Sequence, residues 1–534
     1  MYTTIWTFVF LAFAFYLIRY ISRTDTPFIK GLPAVPGLPV VGNLFQLGDS
    51  HALNAQTLAK KHGPVFQVRL GNKRIVFVNS FASVRHFWIT HQSALISRPT
   101  LFTFHSKLSS TQGFTIGTSP WDESCKRRRK AAATALNKPA VQSYMGIIDE
   151  ESTAAIGGLI RDSKGGEVDI DPGSYCGRYA LNTSLELAYG YRVESLQSEL
   201  LKEIVHVERV VSNIRSTSNN WQDYIPILRL AFWSDRNKEA NEYRRRRDVY
   251  MTHLLDILKQ KIADGTDQPC IVGNVIKDPE AKLSEVEIKS VSAGLDTVPG
   301  NLVMALAYLA SAQGQVVQER IWNELQRTYP DGDAWSRVIS DSAEIPYVVA
   351  FVKEVLRYVV RIHEPDWGEI RMLILMLFSR RRFWSVIPIC LPRTSVADVV
   401  WEGVTVPKGT TFYMNAYAAD YDSEHFDDPY TFLPERYLPP SSHAGVGTPH
   451  YAYGAGSRMC AGSHLANREL YVAFTRIVLA MHLVEAANPS DRPIMDALKC
   501  NLYPTSLTTD PKPFKIGIKP RGGWEKLVKR VVLE

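Results

Sequence analysis

Tyr453-Gly454-Ala455-Gly456-Ser457-Arg458-Met459-Cys460-Ala461-Gly462 places three glycines and one cysteine between a turn-rich segment and a long amphipathic run. Glycine permits backbone turns that other residues resist and lets the chain approach a flat ligand closely. Leu465, Leu470, Phe474, Ile477 and Val478 then recur at helical spacing, which predicts a helix starting near Gly462. Cys460 therefore falls just ahead of a helix N-terminus, where the macrodipole and free N–H groups favour a thiolate. A lone cysteine beside glycines is ordinarily inert, so the case rests on the whole pattern.

A thiolate held in a glycine-rich loop over a planar group is what axial ligation of heme iron by cysteine requires. The stretch resembles F-x-x-G-x-R-x-C-x-G, the signature of the heme-thiolate monooxygenases (cytochromes P-450), with Tyr453 where Phe is usual. That resemblance implies Cys460 as the metal ligand of a heme b, Arg458 facing a heme propionate, and Tyr453 packing near the ligating sulfur.

The totals are compatible. A chain of 534 residues with 45% hydrophobic composition can bury a large core, and no low-complexity tract, repeat or Gly/Ser linker divides it. The net charge of +7 does not argue for nucleic acid. Six scattered cysteines with no C-x-x-C pair fit reduced thiols in a cytosol-facing domain better than a disulfide framework.

Tyr2 to Ile21 is nearly all apolar, and Arg19, Arg23 and Lys30 follow. About 20 helical residues span a bilayer core, and the run lacks the basic start and small-residue cleavage site of a signal peptide. The expectation for 1–22 is one N-terminal transmembrane helix, single-pass, with the rest of the chain on the cytoplasmic side by the positive-inside rule, and the endoplasmic reticulum as its membrane. Gly31-Leu32-Pro33-Ala34-Val35-Pro36-Gly37-Leu38-Pro39 makes 23–44 a stiff, Pro-rich hinge. Residues 45–534 are the expected heme-thiolate catalytic domain. Its first strands fall at Val65 to Leu70 and Arg74 to Val78.

Cys125-Lys126-Arg127-Arg128-Arg129-Lys130 is a dense basic run. Such runs are usually solvated helix faces, and a nuclear-targeting or nucleic-acid patch is the other general reading. In the family a W-x-x-x-R helix stands here, whose Arg pairs with a propionate. Arg129 matches that Arg, although Cys125 occupies the Trp position and Trp121 lies one turn earlier. The remaining basic residues then form a positive face for NADPH-cytochrome P-450 reductase, not for nucleic acid. Arg244 to Arg247 reads as a solvated face, and Gly265 to Asp278 as a polar connection.

A long helix is expected from Ser284 to Ala312, interrupted by Ala293-Gly294-Leu295-Asp296-Thr297-Val298-Pro299-Gly300. Pro299 cannot donate to the carbonyl of Leu295 and should open the helix there. Taken alone this is a helix-end signal with Asp and Thr as caps. It resembles the family's A/G-G-x-D/E-T motif, which implies that Asp296 and Thr297 are the catalytic acid–alcohol pair that delivers protons during dioxygen activation.

Glu354 and Arg357 form an E-x-x-R pair on the helix Tyr347 to Tyr358, and Phe432-Leu433-Pro434-Glu435-Arg436-Tyr437 supplies the family's F-x-P-E-R partner. The resemblance makes these a buried network supporting the heme loop. Pro392-Arg393-Thr394 matches the strand whose Arg reaches a second propionate.

Between those elements stand the 25 residues Val359 to Phe383, where the family has a short loop. Joining Tyr358 to Trp384 restores the family's wording, and every valine codon begins with GT, the usual intron donor. The expectation is a retained intron or faulty gene model rather than a true insertion.

The fold class expected is mainly α with a small β region, the cytochrome P-450 fold. The expected activity takes electrons from NADPH through the reductase and inserts one atom of O2 into a small organic substrate. Contacts should come from the Arg98 to Thr118 loop, the helix near Ala293, the strand near Val386 and the Tyr503 to Thr509 turn. The wording of Ser119 to Asn137, Ala293 to Gly300 and Tyr453 to Tyr471 is most like fungal, microsomal phenylacetate-type aromatic hydroxylases, for which Arg98, His105 or Lys107 would bind a carboxylate. Fungal secondary metabolism, an O2-independent isomerase or dehydratase, and a non-catalytic heme-binding membrane protein are the alternatives.

Overall fold

The structure, a computed structural model, describes residues 2–109, 115–230, 235–278, 283–291, 297–340, 344–357, 387–440, 448–495 and 499–527. Of Tyr2, Thr3, Thr4, Leu17, Ile18, Val291 and Thr297 it describes the backbone alone.

The main core forms where helices Met145–Asp162, Gly173–Tyr189, Thr297–Ala310, Pro346–Arg357 and Ser463–Ala480 meet. At its centre, Leu302 through Ala310 are all buried. A helix apolar on every side is stable only when surrounded by protein, and four neighbouring helices provide that enclosure. Its partner Ser463–Ala480 begins directly after Gly462, where the apolar spacing predicts.

The β region is small, as expected. Strands β1 (Val65–Leu70) and β2 (Lys73–Val78) form an antiparallel hairpin. Further along come β3 (Arg393–Thr394), the hairpin β4 (Val399–Trp401) and β5 (Val404–Val406), and β6 (Thr411–Met414). Strand β6 runs parallel to β2 and carries β3 on its other edge, giving the order β1-β2-β6-β3. Strands β7 (Met481–Glu485) and β8 (Ile516–Pro520) pair near the C-terminus.

Several expectations change. The Pro-rich hinge is pinned to β1: the Gln67 side chain accepts from Ile29 N–H at 3.1 Å and donates to the carbonyls of Ile29 and Leu32 at 2.7 and 2.9 Å. Within Gly265 to Asp278 a helix, Ile271–Lys277, is capped by the Cys270 sulfur accepting from Gly273 N–H. Arg247 is buried against Glu208 at 2.7 Å, so it does not belong to a solvated face. The long helix from Ser284 appears as Glu285–Val291 and Thr297–Ala310. The expected opening at Leu295 lies outside the described residues, as do Asp296 and Val359 to Phe383.

At the N-terminus, Tyr2–Ile21 is one helix of 20 residues. Among the described residues, however, no helix is long and apolar enough to cross a membrane. The aromatic side chains of Tyr2–Ile21 are nonetheless bare: Trp6, Phe8, Phe10 and Tyr16 are each about 70% exposed.

The strongest polar anchor in the core is Glu354. It accepts from Arg357 Nε and Nη2 at 2.8 and 2.6 Å, from Arg436 Nε at 3.2 Å and from Leu433 N–H at 2.9 Å. All three charged side chains are essentially inaccessible. The outer guanidinium nitrogens bond the carbonyls of Asp420, Pro429, Asp427 and Asp428, so both arginines are satisfied. Removing one partner of such a network leaves a buried charge uncompensated. Glu354→Ala should therefore lower the unfolding free energy by about 3–5 kcal/mol, measured by urea denaturation. A loss within about 1 kcal/mol, the range of an exposed pair, would show that the network is not buried in solution.

Candidate functional site

Asp420 connects the Glu354 network to the cysteine loop. Its carbonyl accepts from Arg357 at 2.8 Å, and its carboxylate accepts from Tyr451 N–H at 2.8 Å. Burial pushes the Asp420 carboxyl up to about 8, against the opposing pull of that N–H and of Arg357. The Tyr451 hydroxyl donates to Phe81 O at 3.0 Å, tying the loop to the start of the helix after β2.

From Tyr451 the chain turns twice. Gly454 N–H donates to Tyr451 O at 2.8 Å, and Cys460 N–H donates to Tyr453 O at 3.0 Å, closing the loop. Gly456 sits at φ +62°, and a Cβ there would lie 1.8 Å from the carbonyl oxygen of Trp88. Only glycine satisfies both the turn and that approach. Cys460 is exposed by surface area, whereas the other cysteines are buried. Burial pushes its thiol up, while the N–H of Gly462 and the Arg129 charge pull it down.

Four arginines converge beside this loop. Arg458 donates to the carbonyls of Ile96 at 2.9 Å and Ser119 at 2.8 Å, with its guanidinium 5.6 Å from the Trp121 ring centroid. Arg393, from β3, bonds Leu95 O at 3.3 Å and Ala455 O. Arg98 bonds the carbonyls of Leu391 and Pro392. Arg129 reaches the loop's own carbonyls, at Ser457 and Met459. Trp121 thus takes the place beside an arginine that the sequence pattern assigned to position 125, where the smaller Cys125 is buried.

These cations are under electrostatic load. Burial first and neighbouring arginines after it lower Arg393 to about 9 and Arg458 to about 10. Arg98 is lowered by burial and then by Arg393, Arg458 and Arg129. The Nε atoms of Arg98, Arg393 and Arg458 are buried without a hydrogen-bond partner. No ion pair links any of the four to a carboxylate among the described residues. Uncompensated buried cations are costly, so the donor set fits a dianionic group lying flat against the loop, as the two propionates of a heme would.

Other sequence expectations land differently. Arg98 belongs to this cluster, so it is not free for a substrate. His105 is buried, its Nδ1 accepting from Leu101 N–H at 2.8 Å and its Nε2 donating to Thr118 O at 3.3 Å. Lys107 stands over the Phe102 ring. Arg128, counted within the exposed basic run, is buried and reaches Ser290 at 3.0 Å and Ser119 at 2.9 Å. Its spacing from Cys125 and Ala132, both buried on the same helix face, was the available signal. Tyr453 packs beside the loop and donates to Asn467 at 2.9 Å. Asp296 and the Thr297 side chain lie outside the described residues, and the Thr297 backbone is helical. Ala293 and Val386 lie outside them too.

A cavity of about 410 Å³ opens between Pro299, Gly300 and Val303, the helix Glu199–Ile214 and the Tyr503 to Thr509 turn. Among the described residues, none of the Arg98 to Thr118 loop lines it.

The family model for cytochrome P450 matches residues 33–363 and 381–516. Phenylacetate 2-hydroxylase of Emericella nidulans is 61% identical over 517 residues, covering 96% of this chain and 94% of that protein. The 3-hydroxyphenylacetate 6-hydroxylase of the same organism is 39% identical, covering 92% and 89%. A zebra fish cytochrome P450 solved with abiraterone superposes with a TM-score of 0.65 at 19% identity, covering 88% of this chain and all of that one, which speaks to fold alone. A buried Glu–Arg–Arg network, a closed cysteine loop ringed by unpaired arginines and a match across nearly the whole length agree: the chain belongs to the cytochrome P450 family and is a cytochrome P450 monooxygenase.

Proposed function

We propose that this monooxygenase hydroxylates a small monocyclic aromatic acid of the phenylacetate type. The observation that carries the reading is 61% identity to a phenylacetate 2-hydroxylase across 96% of the chain. In this reading Cys460 is the axial ligand of heme b and Arg129, Arg393 and Arg458 hold its propionates. The unpartnered Nε atoms of Arg393 and Arg458 support that assignment, and Arg98 joins them. Tyr453 packs against the ligand loop. When bound, the heme supplies the reductive activation of O2 that inserts one oxygen atom into the substrate. Asp296 and Thr297 pass protons inward. Electrons come from NADPH through a cytochrome P-450 reductase, which docks on exposed Lys126, Arg127 and Lys130 beside exposed Met459.

The carbon-monoxide difference spectrum of the reduced protein tests the ligand: a thiolate-type Soret band that Cys460→Ser abolishes is expected, and a band surviving in that variant would remove Cys460 from the role. With phenylacetate and NADPH, Thr297→Ala should divert reducing equivalents to peroxide. Unchanged product per NADPH would take Thr297 out of the proton relay.

The segment 359–383 is, in this reading, an unspliced addition to the catalytic domain 45–534. The family match supports this by breaking at 364–380. Both flanks also dock on one short helix, Ala416–Asp420: Arg357 donates to Asp420 O at 2.8 Å, and Tyr417 N–H donates to Pro388 O at 3.1 Å. Without the segment, Tyr358 and residues 384–386 remain to join Arg357 to Ile387, and four extended residues reach about 13–14 Å. A chain lacking 359–383 should load heme at least as well as the chain as written. Loss of the carbon-monoxide band on deletion would establish the segment as part of the enzyme.

The helix Tyr2–Ile21 is the membrane-attachment segment in this reading, a single pass in the endoplasmic reticulum with 23–44 as the hinge and the catalytic domain facing the cytosol. Its bare aromatic surface supports contact with lipid rather than protein. Alkaline carbonate should leave the protein in the membrane pellet, whereas release would show a helix lying in the interface.

A further inference from the structure

The cavity above Pro299 and Gly300 has a composition suited to one ligand class. Its wall is apolar at Leu201, Ile204, Val303 and Phe514, and its charged lining comprises four basic side chains (Arg178, Lys202, Arg209, Lys512) against two acidic ones (Asp171, Asp510). A space of about 410 Å³ is within the ordinary range for small-molecule sites. Apolar walls with a basic excess select an amphiphilic anion.

One contact sets where the anion would bind. Arg209 Nε lies 2.6 Å from Asp510 Oδ2 with both side chains about one-third exposed, and the guanidinium stands over the Tyr503 ring at 5.7 Å. Of the other charged groups on this wall, Lys512 is exposed at the rim and three are occupied differently. Arg178 donates to Glu194 O, Lys202 pairs with Glu199, and Asp171 accepts from Gly173 N–H. Asp510 is fixed by its backbone, whose N–H donates to Asn501 Oδ1 at 3.1 Å and whose carbonyl accepts from Leu502 at 2.8 Å. Its carboxylate is therefore a built-in ligand for Arg209, in a position that a free carboxylate can take over.

We infer that Arg209 is the carboxylate-recognising residue of an arylacetate site in this cavity, with Asp510 holding the guanidinium until the ligand's carboxylate displaces it. The aryl ring then lies along Ile204, Val303 and Phe514, directed at Pro299 and Gly300 of the helix Thr297–Ala310. Tyr503 supplies a face that keeps the guanidinium in place through the exchange. The Asp510 side chain is partly exposed, and its Oδ2, buried against Arg209 without a hydrogen-bond partner, gives up that position to the ligand. The inference rests on the aromatic-acid reading of the substrate, and Arg209 acts here in specificity rather than in the chemical steps.

The test is titration calorimetry on the heme-loaded full chain with phenylacetate and with neutral phenylacetamide, for wild type, Arg209→Gln and Asp510→Asn. A charge-assisted hydrogen bond contributes enough for its loss to weaken phenylacetate binding by about tenfold or more in Arg209→Gln. Asp510→Asn removes the competitor and should tighten phenylacetate binding. Phenylacetamide should respond to neither. The opposite signs matter because a pair that merely braces the C-terminal hairpin would make both variants bind more weakly. That result overturns the inference, as does absent phenylacetate binding or unchanged affinity in Arg209→Gln. Turnover on the same samples separates the two claims. Arg209-dependent binding without oxidation of the acid leaves the site standing and removes the proposed substrate. Oxidation with a KM indifferent to Arg209→Gln does the reverse.

Discussion

Two arginines and one glutamate buried together form the constraint on which the rest of this structure depends. Glu354 neutralises Arg357 and Arg436 where none can reach water. Charges so placed tolerate little displacement, because each hydrogen bond lost exposes a group to a low-dielectric surround. The network consequently fixes the carbonyls that it bonds, at Asp420, Asp427, Asp428 and Pro429. Asp420 transmits that rigidity to Tyr451, and Tyr451 to the loop that ends at Cys460. A loop rich in glycine would otherwise be the most pliant part of the chain. Here its start is bolted to the most rigid part of the core, and its far end runs directly into the helix Ser463–Ala480.

The features readable in the sequence were those carried by local spacing. The cysteine loop, the E-x-x-R pair and the apolar stripe after Gly462 each declare themselves within about ten residues. What escaped depended on partners distant in the chain. Arg247 and Arg128 look like members of solvated basic runs until Glu208 is packed against one and Ser119 and Ser290 against the other. The Pro-rich stretch reads as a linker because nothing near it announces that Gln67 will bind its carbonyls. The helix Ile271–Lys277 is only seven residues long, with a glycine inside it and a cysteine as its cap. Those are weak local signals, and packing decides against them. Arg98 was assigned to a substrate for want of knowing that Arg393 and Arg458 would be its neighbours.

Continuous exposed aromatic surface on Tyr2–Ile21 and the packed apolar clusters of the globular part make a related contrast. In the globular part, apolar residues recur on faces that meet other elements. On this first helix they point in all directions, with no element packed over them. Such a segment lowers its free energy by finding an apolar medium, and the pinned hinge beside β1 gives it a fixed point of departure.

The arginines sort into two kinds, and the difference bears on what each can bind. Arg98, Arg393 and Arg458 are gathered without a carboxylate, and their mutual repulsion adds to the cost of burial. Such a cluster is stable only with a resident anion, and the more permanent that anion, the better the fold tolerates the charge. Arg209 is the opposite case: its counter-charge is part of the protein, partly exposed, and positioned by backbone bonds that remain when the carboxylate leaves. A cation with its own carboxylate can exchange it for another at little net change in electrostatic energy, because one ion pair replaces one ion pair. Uncompensated buried charge thus favours a resident anion, whereas a compensated, half-exposed pair can trade its partner for a ligand that must also depart.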